Sequence, residues 1–589
     1  MTTTKKYADV VMDWLAADGY THCFFVAGGN SMHLLDGARR TMICIPFVHE
    51  VSAGIAAEYF NEVQSGKRAF VLVTAGPGLT NCLTAMAGAF LESRDLLVLG
   101  GQVKSTDLAT DGLRQRGIQE IDGVALTTPV VKDAKRLTQP IEHSRFMKLV
   151  QSGRNGRKGP VFIEICLDVQ GAPFGAFADA SVSTSIASTR WEDSQIAQIR
   201  DWLKTSSRPV LLIGGGVSRN EMKDLLPLIE VAGIPVMTTW NGADRVGADH
   251  PMYFGRPNTW GQRSSNVLIQ QSDLVIAAGT RLGMQQTGFN WQSFVPSGRV
   301  VQIDLDNDEL EKGHPKIDLG VRGDASGVVK SLLKDLVADY SSWIDFCRDV
   351  RELLPSVESA NSVHEGFVNP YSFVASLSAI CNENDIVVPC SSGGAFTVMM
   401  QAFENKTGQI MVTNKGLASM GYGLAGAIGA SLTDRKRRTI LVEGDGGFSQ
   451  NLQELATVSV NALPVKIFIF ANEGYASIRM TQRNYFEGQY LGCDTKTGLG
   501  FPDWSLLARA YGLAHTEISS LDQLRSDDFN KLWKSESPAM FVVVIHPEQT
   551  YYPKITSRVT ESGGMESAPL HFMTPDLEPS TAERVFRYL

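Results

Sequence analysis

The sequence predicts an α/β protein of three parallel-sheet domains followed by a C-terminal tail. Short, near-continuous apolar runs rich in Val and Ile recur along all 589 residues, each followed by Gly-rich turns and segments of helical period. Two polar stretches break that rhythm and divide a chain far too long for one core.

In chain order, the opening MTTTKKYADVVMDWLAADGY places Tyr7, Val10, Val11, Trp14 and Leu15 on one helical face. It lacks the apolar core of a signal peptide, so none is expected. The runs AFVLVTAGPG (69–78), LLVLGGQV (96–103) and PVFIEI (160–165) supply strands to a first domain over 1–170. A second domain, 190–345, takes PVLLIGGG (209–216), LVIAAGT (274–280) and VVQIDLD (300–306). The third, 365–550, takes DIVVP (385–389), TILVEGDGG (439–447), VKIFIFANEG (465–474) and MFVVVI (540–545). Continuous apolar runs of this length suit strands buried on both faces, the condition of a parallel sheet covered by helices. Residues 170–195, rich in Ser, Ala and Thr, read as a linker, and 352–370 as a second. The tail, 551–589, has too few apolar residues for a core and is expected to lie across the domains as a lid.

Composition excludes several classes of function. A net charge of −9 with no Lys/Arg-rich run argues against a nucleic-acid partner. No apolar run reaches the length of a membrane span. The cysteines at 23, 44, 82, 166, 347, 381, 390 and 493 form no CxxC pair, so neither a zinc site nor a disulfide framework is expected. A reducing, cytoplasmic location follows.

The chemistry concentrates in two strand-ending loops. Gly444-Asp445-Gly446 follows TILVE and Asn472 follows VKIFIF, so both sit where open α/β sheets bind ligands. An Asp carboxylate, an Asn carbonyl and a backbone carbonyl such as that of Gly474 form a hard oxygen set for Mg²⁺ or Ca²⁺. The flanking glycines, Gly444, Gly446 and Gly447, let the backbone approach a diphosphate whose charge the metal neutralises. Alone, Gly-Asp-Gly is also an ordinary turn; the correctly placed Asn472 is what points to a metal.

This pattern resembles the thiamine-diphosphate-binding motif, and further segments resemble the acetolactate synthase, pyruvate oxidase and benzaldehyde lyase superfamily in the same order along nearly the whole chain. They are HEVSAGIAAEYF (49–60), TAGPGLTN (74–81), LGGQV (99–103), GIQE (117–120) and GLASMGYGLAGAIGA (416–430). The resemblance implies three Rossmann-like domains: pyrimidine-binding, central nucleotide-binding-like and diphosphate-binding. It makes Glu50 the carboxylate that bonds to the aminopyrimidine and drives deprotonation of the thiazolium. Gly29, Thr74, Pro77 and Asn81 would line the pyrimidine side, and Gly393 and Ser419 the diphosphate side. Met420 would be the bulky wedge that bends the cofactor. In this family the central domain binds FAD, binds another nucleotide or is empty. Here GRPNTWG (255–261), GTRLGMQQTG (279–288) and QIDLDNDEL (302–310) resemble the flavin-carrying members, which gives Arg281 to the flavin diphosphate and Asp304 or Asp306 to the ribose or adenine.

The pocket departs from acetolactate synthases. Their acceptor-selecting tryptophan is absent after Asn472, where Arg479 or Thr481 stands nearby. CSSGGAFTVMM (390–400) lacks their Gln-His pair, and Asn30 replaces a small apolar residue. The segments EQTYYPKI (548–555) and SAPLH (567–571) are similar to carboligases of bacterial sugar-modifying pathways, including a flavin-carrying one. The resemblance therefore implies decarboxylation of a 2-keto acid, with pyruvate the expected donor. The acyl-anion equivalent is then ligated to a ketone or aldehyde, with Gln119, Gln102 and Asn30 handling substrate oxygens. The alternatives are acetolactate synthase proper, a decarboxylase or lyase, and a flavin-dependent pyruvate oxidase. Family sites form between subunits, which implies a homodimer or homotetramer.

Overall fold

The computed structural model describes residues 5–64, 66–110, 112–174, 191–561 and 563–589. Three wholly parallel sheets form its frame. The first orders its strands Ile43–Pro46, Tyr20–Phe25, Arg68–Val73, Leu96–Gln102, Pro160–Cys166 and Asp133–Leu137. The second runs Val236–Thr238, Pro209–Ile213, Leu274–Ala278, Arg299–Asp304 and Leu319–Arg322. The third runs Ile410–Met411, Ile386–Pro389, Thr439–Gly444, Val465–Ala471, Ala539–Val544 and Ala514–Ile518. Leucine, valine and isoleucine fill the central strands on both faces, as residues 210–213 and 440–442 show, because helices cover each side.

The first helix, Tyr7–Ala17, buries Tyr7, Ala8, Val11, Met12 and Leu15, while the expected Val10 and Trp14 are only half-buried. Most of the expected 170–195 linker, 175–190, lies outside the described residues. Its first part is ordered: Pro173–Phe174 pairs antiparallel with Lys5–Lys6. The 352–370 stretch is also tied down, since Asn361 and Tyr552 exchange hydrogen bonds of 2.9 and 2.8 Å. In the tail, Lys554–Ile555 pairs with Met573–Thr574, and Ile555, Leu570, Met573 and Val585 join the core of the second sheet. Among the described residues no helix is long and apolar enough to cross a membrane.

Helix Glu50–Val63 is pressed against helix Tyr422–Thr433, linking the first and third sheets. The contact needs glycine: a Cβ on Gly429 would stand 2.0 Å from the Ala56 carbonyl oxygen. Beside it the buried Glu58 accepts hydrogen bonds from Arg94 Nη1 (2.7 Å), Asn414 Nδ2 (3.0 Å) and the Tyr422 hydroxyl (3.1 Å). Burial raises the Glu58 carboxyl from its ordinary range, against the opposing pull of Arg94. Breaking a buried pair by removing one partner leaves an uncompensated charge. Glu58→Ala is therefore expected to lower stability by about 3–5 kcal/mol, read as a fall in the urea midpoint at unchanged slope.

Candidate active site

Glu50 is the first residue of its helix, and the site is arranged around that terminus. The helix cap is His49, whose side chain accepts from Val51 N. Glu454, from the third-sheet domain, is fully buried and receives His49 N at 3.0 Å and Val48 N at 3.4 Å. A carboxylate at a helix N-terminus meets unpaired N–H groups, so Glu454 fixes where Glu50 begins. Nothing in the motifs signals Glu454; it sits in an ordinary helical segment, NLQELATV (451–458).

Glu50 itself is buried, and its Oε2 accepts from Asn81 Nδ2 at 3.0 Å. Asn81 belongs to helix Pro77–Leu91, which starts directly after strand Arg68–Val73 and the Thr74–Gly76 turn. Pro77 occupies the first helical turn, where its missing N–H is no loss. Gly76, at φ +64, must be glycine on two counts: its conformation is left-handed, and a Cβ would lie 2.4 Å from the Gln119 carbonyl oxygen. That contact seats the GIQE segment on the turn and leaves the Gln119 side chain exposed. Asn30 N donates to Thr74 Oγ1 at 3.3 Å, and its half-buried residue stands beside the exposed Gly29. Glu50, Thr74, Pro77, Asn81, Gln119, Asn30 and Gly29 thus share the carboxyl edge of the first sheet.

Gln102, expected to handle substrate, does not join them. It is fully buried; its Nε2 donates to Ile121 O (3.0 Å) and Glu164 Oε1 (2.9 Å), and its Oε1 accepts from Val103 N. Both ends of its amide are hydrogen-bonded in the interior.

At the edge of the third sheet, Asp445 opens the turn after strand Thr439–Gly444 and is 1% exposed. Its Oδ1 accepts from Gly446 N (2.7 Å), and its Oδ2 from Asn472 N (2.9 Å) and Gly474 N (3.3 Å). Burial pushes its carboxyl up to about 7, against the pull of those N–H groups. The Asn472 side-chain oxygen faces Asp445 Oδ1 at 3.2 Å and the Gly474 carbonyl oxygen at 2.8 Å. Three oxygens converging without a hydrogen between them repel, and two things relieve that: rotation of the Asn472 amide, or a cation. Among the described residues no group of three His, Cys, Asp or Glu could hold a metal, which leaves this hard, mostly neutral set. Arg479, buried in the next helix, donates to the Asn472 carbonyl (2.7 Å) and the Glu473 carbonyl (3.2 Å), so it holds the loop's backbone.

The rest of the third-sheet edge is open. No atom lies within 4 Å of a Cβ built on Gly393 or Gly444, a gap that suits a ligand against bare backbone. Ser391 Oγ donates to the Ser419 carbonyl, and Gln450 Nε2 lies 3.7 Å from Met420 Sδ. Met420 is 37% exposed, prominent for an apolar side chain in a packed turn. Gly446 and Gly447 are packed more tightly, against Tyr475 and Glu443.

The central sheet has its own carboxyl edge. Arg281 is exposed beyond strand Leu274–Ala278, and Asp304 is half-buried at the end of Arg299–Asp304, its carboxyl raised by burial. Asp306 instead pairs with Arg157 at 2.9 Å and caps the following helix. Trp240 Nε1, Asn241 Oδ1 and Gln302 Oε1 are buried without a hydrogen-bond partner, an arrangement that a bound polar ligand would relieve.

Models of three domains match the chain: thiamine pyrophosphate enzyme, N-terminal TPP binding domain over 5–126, central domain over 196–332, and C-terminal TPP binding domain over 392–543. The probable acetolactate synthase large subunit of Methanocaldococcus jannaschii is 30% identical over 563 residues, 92% of each chain. Acetolactate synthase isozyme 1 large subunit of Escherichia coli K12 is 28% identical over 94% of this chain and 97% of its own. The acetolactate synthase large subunit of Lactococcus lactis is 27% identical over 91% and 90%.

Proposed function

We propose, from the premise that this chain belongs to the thiamine pyrophosphate enzyme family, that it decarboxylates pyruvate and ligates the two-carbon unit to a ketone or aldehyde. It is a thiamine-diphosphate-dependent enzyme of the acetolactate synthase and pyruvate oxidase superfamily. The observation that carries the reading is the convergence of the Asp445, Asn472 and Gly474 oxygens at the edge of the third sheet, in a chain whose first sheet carries a buried helix-terminal carboxylate, Glu50. When bound, thiamine diphosphate would supply an acidic thiazolium carbon as nucleophile and electron sink for decarboxylation of a 2-keto acid. Asp445, Asn472 and the Gly474 carbonyl would hold Mg²⁺, or Ca²⁺, to neutralise the cofactor's diphosphate. Gly393, Ser419, Gly444, Gly446 and Gly447 would bring backbone to it, and Met420 would supply apolar support to the cofactor. Glu50, steadied by Asn81, holds a proton at the pyrimidine nitrogen, while Gly29, Thr74 and Pro77 line that side. Gln119 and Asn30 orient the donor carboxylate and the acceptor carbonyl. Holding both reactants in register contributes up to about 7–11 kcal/mol in favourable cases.

FAD belongs to the same proposal. The unpartnered atoms of Trp240, Asn241 and Gln302 support a ligand at the central edge, with Arg281 on its diphosphate and Asp304 on its sugar. A homodimer at least is expected: Val48 beside Glu50, Ile118 beside Gln119 and Met420 leave apolar surface exposed around the site. Cavities of about 400 and 450 Å³ in the chain lie elsewhere, lined by His250 and Arg351 and by Trp191 and Leu310. Eight free thiols support a reducing, cytoplasmic location. The domain limits 1–170, 190–345 and 365–550, with 551–589 closing over the site, complete the reading.

The names of the relatives favour a second reading, acetolactate synthesis itself. Carbon-13-labelled pyruvate followed by NMR separates the two. The expected result is CO₂ release with labelled two-carbon units appearing mainly on an added ketone or aldehyde. Efficient acetolactate formation from pyruvate alone establishes the second reading, and release of acetaldehyde alone defeats both.

A further inference from the structure

The segment after the last strand of the third sheet places one side chain between the metal loop and the diphosphate turn. Tyr551 is 4% exposed, and its hydroxyl lies 3.4 Å from Asn472 Nδ2. Its ring packs on the first turn of helix Gly393–Ala402, where a Cβ on Gly394 would stand 2.7 Å from Tyr551 Cζ. The segment is clamped: Asn361 holds both the N–H and the carbonyl of Tyr552, and Gln401 Nε2 donates to the Pro553 carbonyl at 2.8 Å. Tyr551 is therefore held in place independently of any ligand.

A hydroxyl both accepts and donates, and an amide has one end of each kind. With the Asn472 oxygen turned toward Asp445 and Gly474, its Nδ2 donates to Tyr551. The tyrosine's own hydrogen is then released to point elsewhere, and its ring lies on the Gly393–Gly394 turn. With the amide rotated, Nδ2 would donate to Asp445 Oδ1 and the Gly474 carbonyl, and the hydroxyl would be drawn into donating to Asn472. A cation favours the first arrangement, since it demands the amide oxygen; its absence favours the second.

We propose that Tyr551 couples the two halves of cofactor binding: a cation on Asn472 frees the Tyr551 hydrogen to bond a diphosphate oxygen over Gly393–Gly394. This rests on the proposed metal site and adds a donor to it. Coupling of this kind is reciprocal, so each ligand tightens the other by one factor.

The test uses Tyr551→Phe in the full-length protein, which keeps the ring on Gly394 and removes only the hydroxyl. Calorimetry with thiamine diphosphate at saturating Mg²⁺ is expected to show affinity about 10-fold weaker, the scale of one lost hydrogen bond to a charged oxygen. Mn²⁺ binding without cofactor, followed by electron paramagnetic resonance, is expected to stay within about 2-fold of wild type, because the lost bond serves the diphosphate. The melting temperature without ligands should fall modestly, since the Tyr551–Asn472 hydrogen bond is lost with the hydroxyl while the ring stays packed. Gly394→Ala, whose methyl displaces the ring with the hydroxyl retained, should weaken cofactor binding in the same direction; it decides the matter if Tyr551→Phe proves unstable. Unchanged cofactor affinity in Tyr551→Phe, or an equal loss of Mn²⁺ and cofactor affinity, overturns the coupling. A wild-type protein that binds thiamine diphosphate without any divalent cation would instead overturn the metal site itself.

Discussion

Asp445→Ala is expected to abolish Mg²⁺-dependent binding of thiamine diphosphate, weakening it by at least about 100-fold. Two effects add. In the proposed metal site the variant loses the one charged ligand of an otherwise neutral oxygen set, and a buried pair broken on one side typically costs about 3–5 kcal/mol, or two to nearly four decades of affinity. It also orphans the N–H groups of Gly446, Asn472 and Gly474, each now bonded to the Asp445 carboxylate. The loop that carries two of the three ligands should therefore loosen as well. Asp445→Asn separates the contributions: it keeps an acceptor in place and removes the charge. Its melting temperature should stay close to wild type while cofactor affinity falls. Fluorescence quenching by the cofactor, titrated at fixed Mg²⁺, reads both variants.

Glu50→Gln is expected to have the opposite signature, with cofactor retained and turnover lost. The substitution is nearly isosteric at the start of helix Glu50–Val63, and Asn81 can still donate to the amide oxygen. In the proposed role of Glu50, what disappears is a group able to exchange a proton with the cofactor's pyrimidine ring. Proton transfer by a positioned side chain contributes about 10²–10⁴-fold, so kcat should fall by that factor while affinity for the cofactor changes little. A variant with near-normal kcat would remove Glu50 from the chemistry. Equal loss of binding would make it a structural residue.

Much of this was legible in the chain because each sheet announces itself. Runs such as TILVE and VKIFIF cannot lie anywhere but in the middle of a covered parallel sheet, and their ends fix where Asp445 and Asn472 must stand. Glu50 could be placed beyond a short strand for the same reason. What could not be read was partnership across long sequence separation. Glu454 caps the Glu50 helix from another domain, and its segment looks like any amphipathic helix. Gln102 lies next to a glycine-rich strand end and resembles a pocket residue, yet the next turn of packing aims it at Ile121 and Glu164. Tyr551 stood in a segment of recognisable flavour, but only the fold brings it to Asn472, 79 residues earlier. Period and motif describe single elements; these residues act between elements.

The most direct test of the central claim is calorimetric titration of thiamine diphosphate into the wild-type protein, once with Mg²⁺ and once after exhaustive treatment with a chelator. A metal-bridged site predicts saturable binding at one cofactor per chain with Mg²⁺, and no saturable binding without a divalent cation. Binding of equal affinity in both conditions would contradict it, and would mean that the Asp445, Asn472 and Gly474 oxygens do not hold a cation against the cofactor's diphosphate.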